Sequence, residues 1–159
     1  MKLKSIVDEV FQDYKFPSMM LTSCKCDFKC LTEKELDINI CHNSPLAKQK
    51  DIEISEDFII NRYLNNKITK AIIIAGFEPF LQFDEVINFI HKFRQVSTDD
   101  IVIYTGYYKY EIEQQLIELS KYINIVVKFG RYVPDSNKIY DKVLGIYLAS
   151  DNQYAIKIS

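Results

Sequence analysis

Three short apolar runs, each followed by a turn, constrain what this chain can fold into more than any other feature. Ala71-Ile72-Ile73-Ile74-Ala75 is a continuous β-branched run that ends at Gly76. Asp100-Ile101-Val102-Ile103-Tyr104 is a second, ended by Thr105-Gly106, and Asn124 to Phe129 is a third, ended by Gly130. Runs of this kind without polar alternation are expected for strands buried on both faces. Between them the apolar spacing turns helical: Phe83, Val86, Ile87, Ile90 and Phe93 share one face, and Ile112, Leu116, Ile117 and Leu119 share another. Upstream, Ser18-Met19-Met20-Leu21-Thr22 reads as a strand, and Ser55 to Leu64 as a helix with Ser55 at its N-cap. The tail offers two more short strands, Val143 to Leu148 and Tyr154 to Ile158, around the turn-prone Ser150-Asp151-Asn152. Alternating strand and helix predicts a parallel sheet with right-handed crossovers. A closed eight-stranded barrel typically takes about 250 residues. The 159 residues here predict a single α/β domain over 1–159, an open, incomplete parallel β/α barrel of about five or six strands. A small doubly wound sheet is the other architecture that fits.

In either architecture ligands gather at the C-terminal ends of the strands. The glycine turns all fall there, and so does the segment after Thr22. That segment holds every cysteine in the chain: Cys24, Cys26, Cys30 and Cys41, within eighteen positions. Such crowding points to a metal, a cluster, a disulfide knot or redox chemistry. The sequence shows neither a signal-type apolar run nor a long charge-free span, so a cytoplasmic protein with reduced thiols is the expectation. A four-cysteine zinc site usually shows two tight pairs, whereas the gaps here are one, three and ten residues. His42 as a zinc ligand would crowd Cys41 by one backbone step. An iron–sulfur cluster held by three cysteines leaves one iron without a protein ligand, where a small molecule can bind.

From these residues the chain resembles the radical S-adenosylmethionine enzymes, specifically the activating proteins of anaerobic (class III) ribonucleotide reductases. The family's cluster motif spaces its cysteines by three residues and then two, often with His-Asn after the last. Cys26-Asp27-Phe28-Lys29-Cys30 matches its first half and Ile40-Cys41-His42-Asn43 its end, with ten residues, Leu31 to Ile40, where two are usual. Gly76-Phe77-Glu78-Pro79 is similar to the family's Gly-Gly-Glu-Pro turn, with Phe77 for the second glycine. Tyr104-Thr105-Gly106-Tyr107 is similar to its Thr-Gly-Tyr segment, and Ala149-Ser150-Asp151-Asn152-Gln153 to its Ser-x-Asn-Gln stretch. Phe129-Gly130-Arg131-Tyr132 keeps only the glycine of the family's Asp-Gly-Pro-Phe.

The resemblance implies that Cys26, Cys30 and Cys41 ligate a 4Fe–4S cluster whose fourth iron binds S-adenosylmethionine. Gly76, Phe77, Glu78 and Pro79 would then form the edge that meets the methionine end of the cofactor, Ile40 would pack near its adenine, and Thr105 and Asn152 would complete its site. Reductive cleavage would yield a 5′-deoxyadenosyl radical, which abstracts hydrogen from a glycine of the anaerobic ribonucleotide reductase catalytic subunit. Flavodoxin or ferredoxin would donate the electron. Cys24 lies outside the motif and reads as a spare thiol. Glu78 also reads as a cap for a helix starting near Phe80, His91 as a solvated residue, and Lys128 and Arg131 as rim charges facing cofactor, partner or solvent. The other readings are a small-molecule radical enzyme resembling the carboxydeazaguanine synthases, an iron–sulfur electron carrier, and a zinc-binding interaction module. The formal net charge is −2 and no basic stripe is present, so a nucleic-acid partner is not expected, nor is a membrane.

Overall fold

The apolar runs form strands where their composition requires it. The computed structural model describes residues 1–41 and 43–159. Its strands are β1 (Lys2–Leu3), β2 (Ser5–Val10), β3 (Ser18–Thr22), β4 (Ile52–Glu53), β5 (Ala71–Ala75), β6 (Asp100–Tyr104), β7 (Ile125–Phe129), β8 (Ile139–Asp141), β9 (Ile146–Leu148) and β10 (Tyr154–Lys157). Its α-helices are α1 (Lys29–Thr32), α2 (Ser44–Ala47), α3 (Glu56–Asn65), α4 (Phe83–Phe93) and α5 (Glu113–Leu119). Six strands make one mixed sheet in the order β10-β7-β6-β5-β3-β2. The inner four, β3, β5, β6 and β7, are parallel, and both edge strands are antiparallel to their neighbours. Consecutive parallel strands are therefore spatial neighbours, and α3, α4 and α5 are the crossovers between them.

Alternation along the parallel strands sorts their side chains onto two faces. Met19, Ile72, Ile101 and Ile125 stand in register across the sheet. With Leu21, Ile74, Ile103 and Val127 they join the core formed with Ile59, Phe89, Phe93 and Leu116 of the three helices. The opposite face, with Ile73, Val102 and Val126, is covered by Tyr14, Leu144 and Leu148. All three crossover helices thus share one face, and connecting segments cover the other. Ser55 caps α3 by accepting from Phe58 N at 3.2 Å, in the role its sequence position predicts. Among the described residues no helix is long and apolar enough to cross a membrane.

Several boundaries differ from the sequence expectation. The segment Ser5–Val10 forms an antiparallel edge strand against β3. Its charges, Asp8 and Glu9, mask its apolar pattern, as is common for edge strands. The expected strand from Val143 begins only at Ile146. The Asp141 carboxylate accepts from Val143 N and Leu144 N, both at 2.9 Å, and Gly145 follows at φ +73°. That side-chain-closed turn removes Val143–Gly145 from the ladder. Asn124, at φ +56°, likewise falls outside β7, and β10 stops at Lys157, one residue short of the expected end.

Candidate cofactor site

The three cysteines of the spaced motif meet at the C-terminal ends of the parallel strands. Cys26, Cys30 and Cys41 line one cavity of about 420 Å³ together with Gly76, Phe77, Glu78, Thr105, Gly106, Lys128 and Gly130. That volume lies within the range of small-molecule sites, roughly 300–1,000 Å³. Cys24 is not on this wall; its backbone N and Sγ both approach Gln82 Oε1, at 2.9 and 3.4 Å. Of the other residues expected at the site, Ile40 is exposed and Pro79 opens a short 3-10 turn. Asn152 donates to Arg131 O at 3.0 Å behind the rim. None of these three lines the cavity. His42 lies outside the described residues.

The cysteine segment is tied to the glycine turn at three points. Glu78 N donates to Lys25 O at 2.7 Å. Asn43, two residues after Cys41, donates its side-chain amide to Gly76 O. Phe77 packs edge-on against Phe28, with ring centroids 6.1 Å apart, so the side chain that replaces the expected glycine anchors the cysteine loop. Gly76 has φ +93°, and a Cβ there would stand 2.4 Å from Thr22 Cγ2. Only glycine suits that backbone. Phe28, at φ +54°, turns the chain between Cys26 and Cys30, and its N–H donates to Cys26 Sγ at 3.3 Å.

Glu78 organises the next rim. Thr105 Oγ1 donates to its carboxylate, with oxygen distances of 2.7 and 2.8 Å, and Gly106 N donates at 2.9 Å. Phe80 N donates to the same group at 3.1 Å, so Glu78 caps a short helical turn as its sequence position suggests. These donors favour the carboxylate, but burial outweighs them and pushes the group up to about 7. Lys128 is also buried, and burial lowers its ammonium to about 8 although Glu78 acts to raise it. Its Nζ donates to Gly130 O at 3.3 Å. Burial pushes the Cys26 thiol up to about 12, and it also raises Cys30, with Cys41 as a further contributor. In the metal-free chain these two thiols hold their protons at neutral pH, and a bound metal must displace them.

The Ser150–Gln153 turn closes the fourth rim. Gln153 Nε2 donates to Gly130 O at 3.3 Å, and Ser150 N donates to Gln153 Oε1 at 3.2 Å. Gly130 has φ +103°, and a Cβ there would lie 2.9 Å from Asn152 O. The turn thus explains both its own sequence and the need for Gly130. Sequence reasoning missed Gln12 and Asp13, which reach the cavity from the β2–β3 connection, and Ile146 to Ala149 on its far wall. Tyr104 also lines the cavity, and it was legible from strand parity: it pairs with Lys128 across β6 and β7.

Three thiols around a cavity at strand ends suit a polynuclear cluster better than a single ion. A single zinc ion needs every sulfur about 2.3 Å from one point, and gaps of one, three and ten residues between the cysteines lack the two tight pairs usual for such a site. In a cluster, each thiolate serves a different iron. Residues 19–154 match the model of the 4Fe-4S single cluster domain, and the chain belongs to that family. No curated protein and no solved structure matches it. The protein is by family an iron–sulfur protein with a 4Fe–4S cluster as its indicated cofactor, and its thiol donors fit that group.

Proposed function

We propose that the protein is a radical S-adenosylmethionine enzyme that activates an anaerobic ribonucleotide reductase, built on an open, incomplete parallel β/α barrel. One observation carries this reading: Cys26, Cys30 and Cys41 share a cavity with the Gly76–Glu78 edge. Three cysteine ligands would leave one iron of a four-iron cluster open, and the cavity that these cysteines line has room for a small molecule. An electron carrier needs no such room. When bound, the cluster supplies the electron for reductive cleavage of S-adenosylmethionine.

The chain's own residues bind, align and shield. Gly76 admits the amino-acid end of the cofactor to the backbone, and Asn43 keeps that edge in register with the cysteines. Lys128 offers a buried cation to the cofactor carboxylate. Glu78 fixes Thr105 and Gly106 on the neighbouring rim, and Phe28 and Phe77 exclude water beside Cys26. The target is a glycine of the reductase catalytic subunit, and flavodoxin or ferredoxin in the cytoplasm is the electron source.

The test is anaerobic reconstitution, dithionite reduction and assay of 5′-deoxyadenosine, with Cys24→Ala, Cys26→Ala, Cys30→Ala and Cys41→Ala alongside. The reading requires product from the parent and from Cys24→Ala, and none from the other three. A cluster that forms and cleaves nothing would leave an electron carrier.

A further inference from the structure

The cysteine segment has little of its own to hold it in place. In the ten-residue spacer Leu31–Ile40 only Leu31 is buried. Helix α1, which bears Cys30, is a single turn, far too short to be stable by itself. Something outside the segment must fix it.

Beside the ties to the glycine turn, the anchor at Cys30 is Arg131, just beyond the C-terminal end of β7. Its side chain is buried, and all five of its N–H groups are used. Nε and Nη2 donate to Glu33 at 3.0 and 2.8 Å. Nη1 and Nη2 donate to Glu111, both at 2.8 Å, and Nη1 also donates to Gly106 O at 2.6 Å. The guanidinium lies 5.0 Å from the ring centroid of Tyr108. Lys29 Nζ stands 3.3 Å from Glu111 Oε1 and 3.9 Å from Asp27 Oδ2, so two cations face three carboxylates. Glu33 is the C-cap of α1 and Lys29 its first residue. The network therefore grips both ends of the turn that carries Cys30. Glu33 belongs to the long spacer, and Arg131 stands where the resembled pattern has no arginine. These two departures, 98 residues apart, meet in one double fork.

We infer that Arg131 is a positioning residue for the cluster ligands, and that the spacer's Glu33 is the latch it holds, so that Cys30 faces the cavity before any metal arrives. A buried arginine without partners would be strongly unfavourable, and a planar fork is the geometry that satisfies two carboxylates at once. Lysine keeps the charge but not the fork. The inference rests on the family's cluster binding and not on S-adenosylmethionine cleavage.

The test uses the full-length chain, with Glu33→Ala, Arg131→Lys and the double variant. In the metal-free protein the alkylation rate of each thiol is followed by mass spectrometry, with Cys24 as internal reference. In the reconstituted protein the release of iron to a chelator is timed. Glu33 is half exposed, so Glu33→Ala leaves the fold intact; it is expected to raise the Cys30 rate about fivefold and to speed iron release, with Cys24 unchanged. Arg131→Lys should do the same or more, because it also loosens Glu111 and Gly106, and the double variant should match Arg131→Lys, since Glu33 acts through Arg131. An unchanged Cys30 rate in Glu33→Ala would overturn the inference. So would a rise of Cys24 and Cys30 together with a falling melting temperature, which would mark general loosening.

Discussion

The two halves of the cofactor site are built in opposite ways. The glycine turns hang from strands whose residues are almost all buried; every residue of β5 and β7 is. The cysteines sit on a segment of single-turn helices in which few side chains are buried. The first half is held by the hydrophobic core, and each fully buried isoleucine contributes roughly 1.5–3 kcal/mol. The second is held by discrete polar contacts: Glu78 N to Lys25 O, Asn43 to Gly76 O, and the Arg131 fork. A cluster ligand set needs a segment that can admit metal and then stay in place. A frame that is rigid on one side and latched on the other provides both.

This division can be broken or sharpened by substitution. The largest effect is expected on loading: Cys26→Ala, Cys30→Ala or Cys41→Ala should abolish a stable cluster by iron content and visible absorbance. The metal-free stability of each should change by no more than about 0.5 kcal/mol, because these residues are outside the core. Ile74→Ala should do the reverse. It empties a fully buried site in β5 and should cost about 2–5 kcal/mol in urea unfolding, before any question of metal arises.

Glu78 stands on the frame side, and its signature is in pH. Burial holds its carboxyl up at about 7 against an ordinary value of 4.5. Between those values the folded chain keeps a proton that the unfolded chain has released. Its contribution is fully present below about pH 4.5, is lost as pH rises through about 7, and changes no further above. The total loss across that interval is on the order of 3 kcal/mol in metal-free protein, and Glu78→Gln should remove it. Gly76→Ala comes next, at about 1–3 kcal/mol, from strain at a positive φ and the close Thr22 methyl. The smallest effect is expected at the Arg62–Asp8 pair, where both side chains are about 40% exposed. Arg62→Ala should change stability by no more than about 0.5 kcal/mol, which makes it the baseline for the series.

The same division explains what the sequence disclosed. The frame was legible because burial on two faces forces continuous apolar runs, and a positive φ at a strand end calls for glycine. β5, β6, α4 and Gly76 all follow from local rules. The cysteine spacing was legible because thiol chemistry restricts its residue types. The latches were not. Glu33 and Arg131 look like ordinary surface charges until the fold brings them together, and Phe77 looks like a flaw in a glycine motif until Phe28 is seen against it. Asp13 enters the cavity wall only because the β2–β3 connection crosses the sheet, which no local pattern reveals. Asn152, expected at the cofactor, donates its side-chain amide to the Arg131 carbonyl, a tie that no local pattern discloses.

We propose that a cluster on Cys26, Cys30 and Cys41 would keep one iron available to S-adenosylmethionine in the cavity that these cysteines line. Electron paramagnetic resonance of the reduced, reconstituted protein, recorded before and after S-adenosylmethionine is added, tests this most directly. A shift of the cluster's g-values on addition, retained in Cys24→Ala, is the predicted result. A spectrum of a fully formed cluster that does not change with S-adenosylmethionine would contradict the account.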